Sequence, residues 1–330
     1  MINKEKSVSK SSLSSSSHRD ILVRHSENPI LRACDMPFDC SAVFNAGTAF
    51  REGKVYLVLR TEDFERETRF HLATSIDGID FEVDPEPIRY PLRDIEKEYG
   101  SHRFDMRITE IDGVYYACHA LMLTGFGSMI AMARSKDLKN YESLPSISPP
   151  FNRNAVLFPE KVNGMYARLE RPVDDSGSGQ IWISYSKDLV FWGKHEPVRM
   201  PRVSWAERKS GAGAIPIRTE RGWLCIYHTT CHTASTENYY LGAMLLDLEN
   251  PAQTVGAPRK YLLGPEESYE CVGQVPNVVF TGGAVEMPDG TLNIYYGGAD
   301  TCMCLAQTSV EKLINFCLAG PDSRPESMWH

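Results

Sequence analysis

The chain repeats itself. Five segments begin at a turn glycine and continue as a β-rich run: EGKVYLVLR from Glu52, DGVYYACHA from Asp112, NGMYARLER from Asn163, RGWLCIYHT from Arg221 and DGTLNIYYG from Asp289. The glycines, Gly53, Gly113, Gly164, Gly222 and Gly290, are spaced 60, 51, 58 and 68 residues apart. Asp-Gly and Asn-Gly favour tight hairpins because both central residues need positive φ. A second motif follows each run: SIDGIDFEV from Ser75, SKDLKNYES from Ser135, SKDLVFWGK from Ser186, LLDLENPAQ from Leu245 and a degraded copy, TSVEKLINF, from Thr308. The first three read as a strand end, a turn carrying Asp, and an aromatic opening the next strand. A period of this size in an all-β chain predicts a propeller whose blades are small antiparallel sheets. Five copies predict a five-bladed β-propeller, one catalytic domain over 21–330, preceded by a disordered or extended serine-rich tail over 1–20. Two β-sandwiches are the alternative, but five evenly spaced units fit a ring better. DIEKEYG from Asp94 and VEKLINF from Val310 read as short helices.

Composition narrows the function. The 330 residues are 42% apolar and 24% charged, as in a soluble globular protein. No apolar run approaches the ~18 residues that span a bilayer. The N-terminus lacks the apolar region of a secretory signal, so a cytoplasmic protein without a membrane partner is expected. Nine cysteines form no CxxC pair, and the CxC of Cys302 and Cys304 has no second pair or histidine cluster beside it. Reduced thiols and no metal site are therefore expected. A net charge of −8 argues against nucleic acid. Any anion site must be a local gathering of Arg and Lys.

In a propeller, residues near the inner strand ends of all blades meet at one mouth of the channel. Taken blade by blade, these are Asn45, Arg60, Asp63 and Arg66; then Asp105 and Arg107; then Arg153, Asn154, Arg168 and Arg171; then Lys209, His228 and Tyr239; and finally Asp300. Arg66, Arg153, Arg171 and Lys209 could form one cationic pocket, since guanidinium forks match phosphate oxygens and lysine adds a point charge. Asp105 and Asp300 would be carboxylates beside it, able to bind sugar hydroxyls or, with a raised pKa, to donate a proton. Each residue also has a plainer reading. Arg66 could be solvated, Arg153 could pair with Glu160 or Glu170, Asp105 and Asp300 could cap turns, and His228 could be a core histidine.

These segments resemble glycoside hydrolase family 130, the mannoside phosphorylases and related β-mannosidases. The resemblance rests on VFNAG (43–47), FDMRIT (104–109), FNRNAVLFPEK (151–161), LERP (169–172), KSGAGAIP (209–216), GWLCIYH (222–228), LGAMLLDLENP (241–251), PNVVF (276–280) and YYGGADT (295–301). It spans most of the chain from about residue 20 to 315 and implies the same five-bladed fold. It further implies inverting phosphorolysis, in which phosphate attacks the anomeric carbon of a β-mannoside and releases α-mannose 1-phosphate. By motif position Asp105 resembles the general acid, its proton passing through the mannose 3-hydroxyl. Arg153, Asn154, Arg171 and Lys209 resemble the phosphate-binding set. Asn45, Arg60, Arg66, His228, Tyr239 and Asp300 fall at substrate-binding positions. Met106 departs from the family's proline after the aspartate, which loosens the backbone there.

The expected partners are a β-mannoside oligosaccharide (mannosyl-glucose, mannosyl-N-acetylglucosamine or a manno-oligosaccharide) and inorganic phosphate as co-substrate. No metal or organic cofactor is implied, and the resemblance is compatible with a homo-oligomer. A β-mannosidase of the same fold and a non-catalytic carbohydrate-binding propeller are the competing readings. The retained Arg153, Arg171 and Lys209 separate phosphorolysis from hydrolysis, because hydrolytic members place carboxylates there instead.

Overall fold

The computed structural model describes residues 20–234 and 236–319, so the expected tail lies outside the described residues except for Asp20. A two-residue strand, β1 (Val23–Arg24), comes first. Blade one is β2 (Ala42–Arg51), β3 (Lys54–Glu62), β4 (Thr68–Ser75) and β5 (Glu82–Pro87). Blade two is β6 (Ser101–Ile111), β7 (Val114–Leu123), β8 (Ser128–Ser135) and β9 (Tyr141–Ile147). Blade three is β10 (Asn152–Leu157), β11 (Tyr166–Pro172), β12 (Trp182–Ser186) and β13 (Trp192–Pro197). Blade four is β14 (Ser210–Ala212), β16 (Gly222–His232), β17 (Glu237–Leu246) and β18 (Thr254–Gly256), with β15 (Ile217–Thr219) also paired to β16. Blade five is β19 (Val279–Glu286), β20 (Leu292–Gly298) and β21 (Cys302–Thr308), and β1 supplies its outer strand. The two expected helices form as α1 (Asp94–Tyr99) and α3 (Val310–Leu318), with a one-turn α2 (Ser268–Cys271) between them in sequence.

Local turn chemistry sets the repeat. Glu52–Gly53, Asp112–Gly113 and Asn163–Gly164 all hold positive φ at both positions, the mirror-image turn that matches strand twist. The fourth and fifth copies keep the glycine and change the turn. Gly222 pairs with Thr219 across a two-residue loop, and at the fifth Gly290 alone is left-handed. The second motif is a side-chain turn. Ser75, Ser135 and Ser186 accept hydrogen bonds from the N–H groups of Gly78, Leu138 and Leu189 at 2.8, 2.9 and 2.9 Å. Asp77, Asp137 and Asp188 accept from the backbone just beyond, as Asp247 does in blade four. In the degraded copy the side chain caps a helix instead: Ser309 accepts from Lys312 N at the start of α3.

The core lies between blades rather than within one. Leu57 and Leu59 pack on Tyr295 and Leu305 of blade five, while Val58, between them in sequence, packs on Ile108 and Ala117 of blade two. Blades two and three meet through Met132 and Leu157, three and four through Val156 and Trp223, four and five through Leu224 and Ile294. Both faces of each inner strand are therefore buried, which is why the strands read as nearly continuous apolar runs. Among the described residues no helix is long and apolar enough to cross a membrane.

The ring closes where β1 pairs with β21, Val23 opposite Gln307 and Arg24 opposite Ala306. A buried ion pair locks it. Arg24 donates from Nε and Nη2 to the two oxygens of Glu270, both at 2.8 Å. Tyr296 Oη donates to the same carboxylate at 2.8 Å, as do the backbone N–H groups of Glu266 and Glu267. Glu270 is wholly buried, so removing the cation strands a charge in the interior. Arg24→Met is expected to destabilise the protein by about 3 kcal/mol, read from its urea midpoint, and Arg24→Met with Glu270→Gln to recover part of that loss. An unchanged midpoint in the single variant would refute the role of this pair in closure.

Candidate active site

A cavity of about 510 Å³ opens at one mouth of the hub, within the range of small-ligand sites. Its position follows from a shared irregularity. The innermost strands of blades one, two, three and five each lose register at one point: between Val43 and Ala46, Phe104 and Arg107, Arg153 and Val156, and Thr281 and Gly283. A bulge leaves residues unpaired and re-aims their side chains. Asn45, Asp105 and Asn154 occupy three of these breaks, Asp105 and Asn154 at φ of 56° and 55°. Asn45 Nδ2 and Asn154 Oδ1 are buried without a hydrogen-bond partner, polar atoms of the kind a ligand satisfies.

Of the residues singled out from sequence, Arg60, Arg66, Asp105, Arg153, Asn154, Arg171, Tyr239 and Asp300 line the cavity. Asn45, Asp63, Arg107, Arg168, His228 and Lys209 are not among its lining residues. His228 is fully buried, and Arg171 Nη1 lies 3.1 Å from its Nε2. Arginine can only donate, so Nε2 accepts and the ring proton sits on Nδ1. Burial, then Arg171, hold this imidazole well below its ordinary pKa and keep it neutral. Lys209 Nζ sits 2.8 Å from Glu237 and 5.5 Å from the Tyr239 ring centre. Arg66 is 74% exposed and 3.8 Å from Glu62, so it belongs to the rim on blade one. The single four-residue cationic pocket thus resolves into a core of Arg153 and Arg171, a partnered Lys209 and a rim Arg66.

Arg153 has neither of the partners its plainer reading offered. Glu160 pairs with Arg218 at 2.7 Å, and Glu170 pairs with Arg168 and His195, each at 2.7 Å. Strand alternation turns Glu170 away from the hub while its neighbour Arg171 faces it. Arg153 and Arg171 are themselves direct cross-strand partners, an unfavourable placement for like charges. Burial first and Arg153 second push the Arg171 guanidinium down in pKa. Arginine does not give up its proton in proteins, so the strain favours capture of an anion.

The opposite wall is acidic. Asp300 sits in the β20–β21 turn at a φ of 50°. Burial, then the nearby Asp105 charge, push its carboxyl up to about 6, against the pull of Arg60. Glu62, buried and bonded to Gln274 Nε2 at 2.8 Å, is a third carboxylate lining the cavity. Sequence reading passed over it, although it follows Arg60 by two positions and so shares its face. His102, Phe104, Met122 and Phe280 also line the cavity and were not singled out; the bulge between Phe104 and Arg107 breaks the alternation that would have linked His102 and Phe104 to Asp105. Met106, where the resemblance expects proline, is buried with Val58 and Ile108 between blades one and two. Among the described residues no three of His, Cys, Asp and Glu converge to hold a metal ion.

A family model described as beta-1,4-mannooligosaccharide phosphorylase matches residues 18–319. The beta-1,4-mannooligosaccharide phosphorylase of Ruminococcus albus is 34% identical over 309 residues, covering 90% of this chain and 91% of that protein. The 1,2-beta-oligomannan phosphorylase of a Thermoanaerobacter species is 37% identical over 302 residues, covering 86% and 96%. The solved beta-1,2-mannobiose phosphorylase of Listeria innocua, in complex with beta-1,2-mannobiose, superposes with a TM-score of 0.79 at 28% identity, covering 90% of this chain and 99% of that one.

The Asp300 shift has a signed consequence. Its folded value near 6 lies above the ordinary carboxylate value, so ionised Asp300 costs stability. That cost is absent below about pH 4 and fully present above about pH 6. Asp300→Asn is expected to gain about 2 kcal/mol over the parent at pH 8 and nothing at pH 4, by urea unfolding at both. A difference independent of pH would refute the burial of this charge.

Proposed function

The chain belongs to glycoside hydrolase family 130, and on that premise we propose that it phosphorolyses a β-mannoside with inversion, releasing α-mannose 1-phosphate. The observation that carries this reading is the Arg153–Arg171 pair: two cavity-lining cations, opposite one another, with no carboxylate partner among the described residues. Inorganic phosphate, a dianion near neutral pH, fits that seat, and guanidinium forks match its oxygens. Asn154 and Lys209 complete the seat, and no metal or organic cofactor is invoked.

The chemistry follows from the two walls. A phosphate oxygen held by Arg153 and Arg171 attacks the anomeric carbon as the glycosidic C–O bond breaks. Fixing the nucleophile in line supplies proximity. The leaving oxygen takes up a proton originating at Asp105, relayed through the mannose 3-hydroxyl. One acid suffices, because phosphate is already a nucleophile and needs no base. Asp300, Asn45, Arg60, Arg66 and Tyr239 bind the sugars, and His228 supports Arg171 from behind. Relatives named for β-1,4 and for 1,2-linked substrates stand at nearly equal identity, 34% and 37%, so the β-mannosyl unit is the shared requirement.

The test is formation of mannose 1-phosphate from β-1,4- and β-1,2-mannobiose with and without phosphate. Arg153→Ala is expected to raise the KM for phosphate by about tenfold or more while changing the KM for mannoside little. Lys209→Ala, whose ammonium is shared with Glu237, should do so by less. Arg153→Lys should recover only part, because the fork is lost. Turnover indifferent to phosphate would identify a β-mannosidase. Glycan binding without turnover, unaltered by Asp105→Asn, would identify a binding propeller.

A further inference from the structure

Arg107 is the largest charged side chain in the hub that the proposed chemistry leaves without a task. It is 1% exposed and, unlike Arg171 and Asn154, does not line the cavity. Among the described residues no carboxylate pairs with it; its hydrogen bonds go to backbone carbonyls. Nη1 donates to Asp105 O at 2.7 Å, Nε to Gly213 O at 3.2 Å and Nη2 to Ala212 O at 3.4 Å. Its guanidinium also lies 5.4 Å from the centre of the Phe280 ring.

The first of these bonds falls at a weak point of the sheet. The ladder between β6 and β7 lapses from Phe104 to Arg107, so the backbone at Asp105 lacks regular pairing. Asp105 also holds a left-handed φ of 56°, which a non-glycine residue keeps only when its surroundings enforce it. The other two bonds anchor the guanidinium to blade four, just past Lys209. One rigid planar group thus ties the strained carbonyl of Asp105 across the hub to the strand that leads from the anion seat.

We propose that Arg107 is a positioning residue: its guanidinium, braced on the Ala212 and Gly213 carbonyls, clamps the bulge in β6 and thereby aims the Asp105 carboxyl at the mannose 3-hydroxyl that relays its proton to the leaving-group oxygen. This rests on the phosphorolysis reading for the identity of the proton acceptor, not for the geometry. Asp105 without its clamp would still be present and ionisable, but displaced from the proton path. A displacement of about 1 Å in a reacting group can cost on the order of 100-fold in rate.

The experiment compares two leaving groups. A mannobiose, in whichever linkage the parent cleaves, needs its departing oxygen protonated. A 2,4-dinitrophenyl β-mannoside does not, because the phenolate leaves unaided. In Arg107→Met, kcat on mannobiose is expected to fall about 100-fold at saturating phosphate, and kcat on the dinitrophenyl substrate to stay within about threefold, as in Asp105→Asn. Arg107→Lys keeps the charge but not the planar fork, and should show the same selective loss to a smaller degree; it decides the question if the methionine variant does not fold. Equal losses on both substrates, or none on mannobiose, would overturn the assignment. A parent that turns over both substrates without regard to phosphate would overturn the phosphorolysis reading alone, and the same ratio, measured on hydrolysis, would still judge Arg107.

Discussion

Like charges face one another across the third blade. Arg153 on β10 and Arg171 on β11 are cross-strand partners, and Arg107 adds a third guanidinium whose field reaches both Arg153 and Arg171. No local carboxylate relieves this, since Glu170 and Glu160 are engaged elsewhere. The arrangement is a standing electrostatic debt in the unliganded chain. Phosphate discharges it on the proposed reading, and the net charge of −8 makes the local reversal of sign the more selective for a small anion over a large acidic surface.

The rest of the fold makes that debt tolerable. Burial sits in five wedges between blades, so each inner strand is held by apolar contacts on both faces and not by its ladder alone. Strands held in this way can give up pairing where function needs it. Four of them break register facing the hub, and three breaks carry a polar side chain. Closure by β1 and the Arg24–Glu270 pair matters for the same reason. A ring with a loose fifth blade would let the wedges slip, and the side chains at the breaks would lose common aim.

What sequence reveals here is what is local. The turn pairs at Gly53, Gly113 and Gly164, and the Ser-x-Asp turns after them, are each encoded within a few residues, so blade count and order were readable. Strand β1 was not, because Val23 and Arg24 have no period and pair with residues near the far end of the chain. Glu62 was overlooked for want of counting by two from Arg60. The partners of charged groups were least legible. That Arg153 finds no carboxylate among the described residues, that Lys209 belongs to Glu237 and that Arg107 reaches the carbonyl of Gly213 all depend on where other blades bring their chain. Residue type announced a charge; only the ring decided what answered it.

The unpartnered arginine pair and the carboxylates stand on opposite sides of the hub, with Arg60 and Arg66 of blade one beside the carboxylates. Arg153 and Arg171 stand on blade three and Lys209 on blade four, while Glu62, Asp105 and Asp300 stand on blades one, two and five. In a five-membered ring the position opposite the boundary of blades three and four is blade one, with two and five on its flanks. An anionic nucleophile seated on the cationic wall must therefore approach the anomeric carbon from that side, and the bond it replaces must point toward the acidic one. On the phosphorolysis reading, inversion needs no separate device: it follows from placing the anion seat and the proton source on opposite walls of one cavity. A retaining enzyme would need a carboxylate on the nucleophile's side, close enough to bond to the sugar. Glu237, on blade four, has its charge answered by Lys209, which on that reading leaves the seat to an anion from solution.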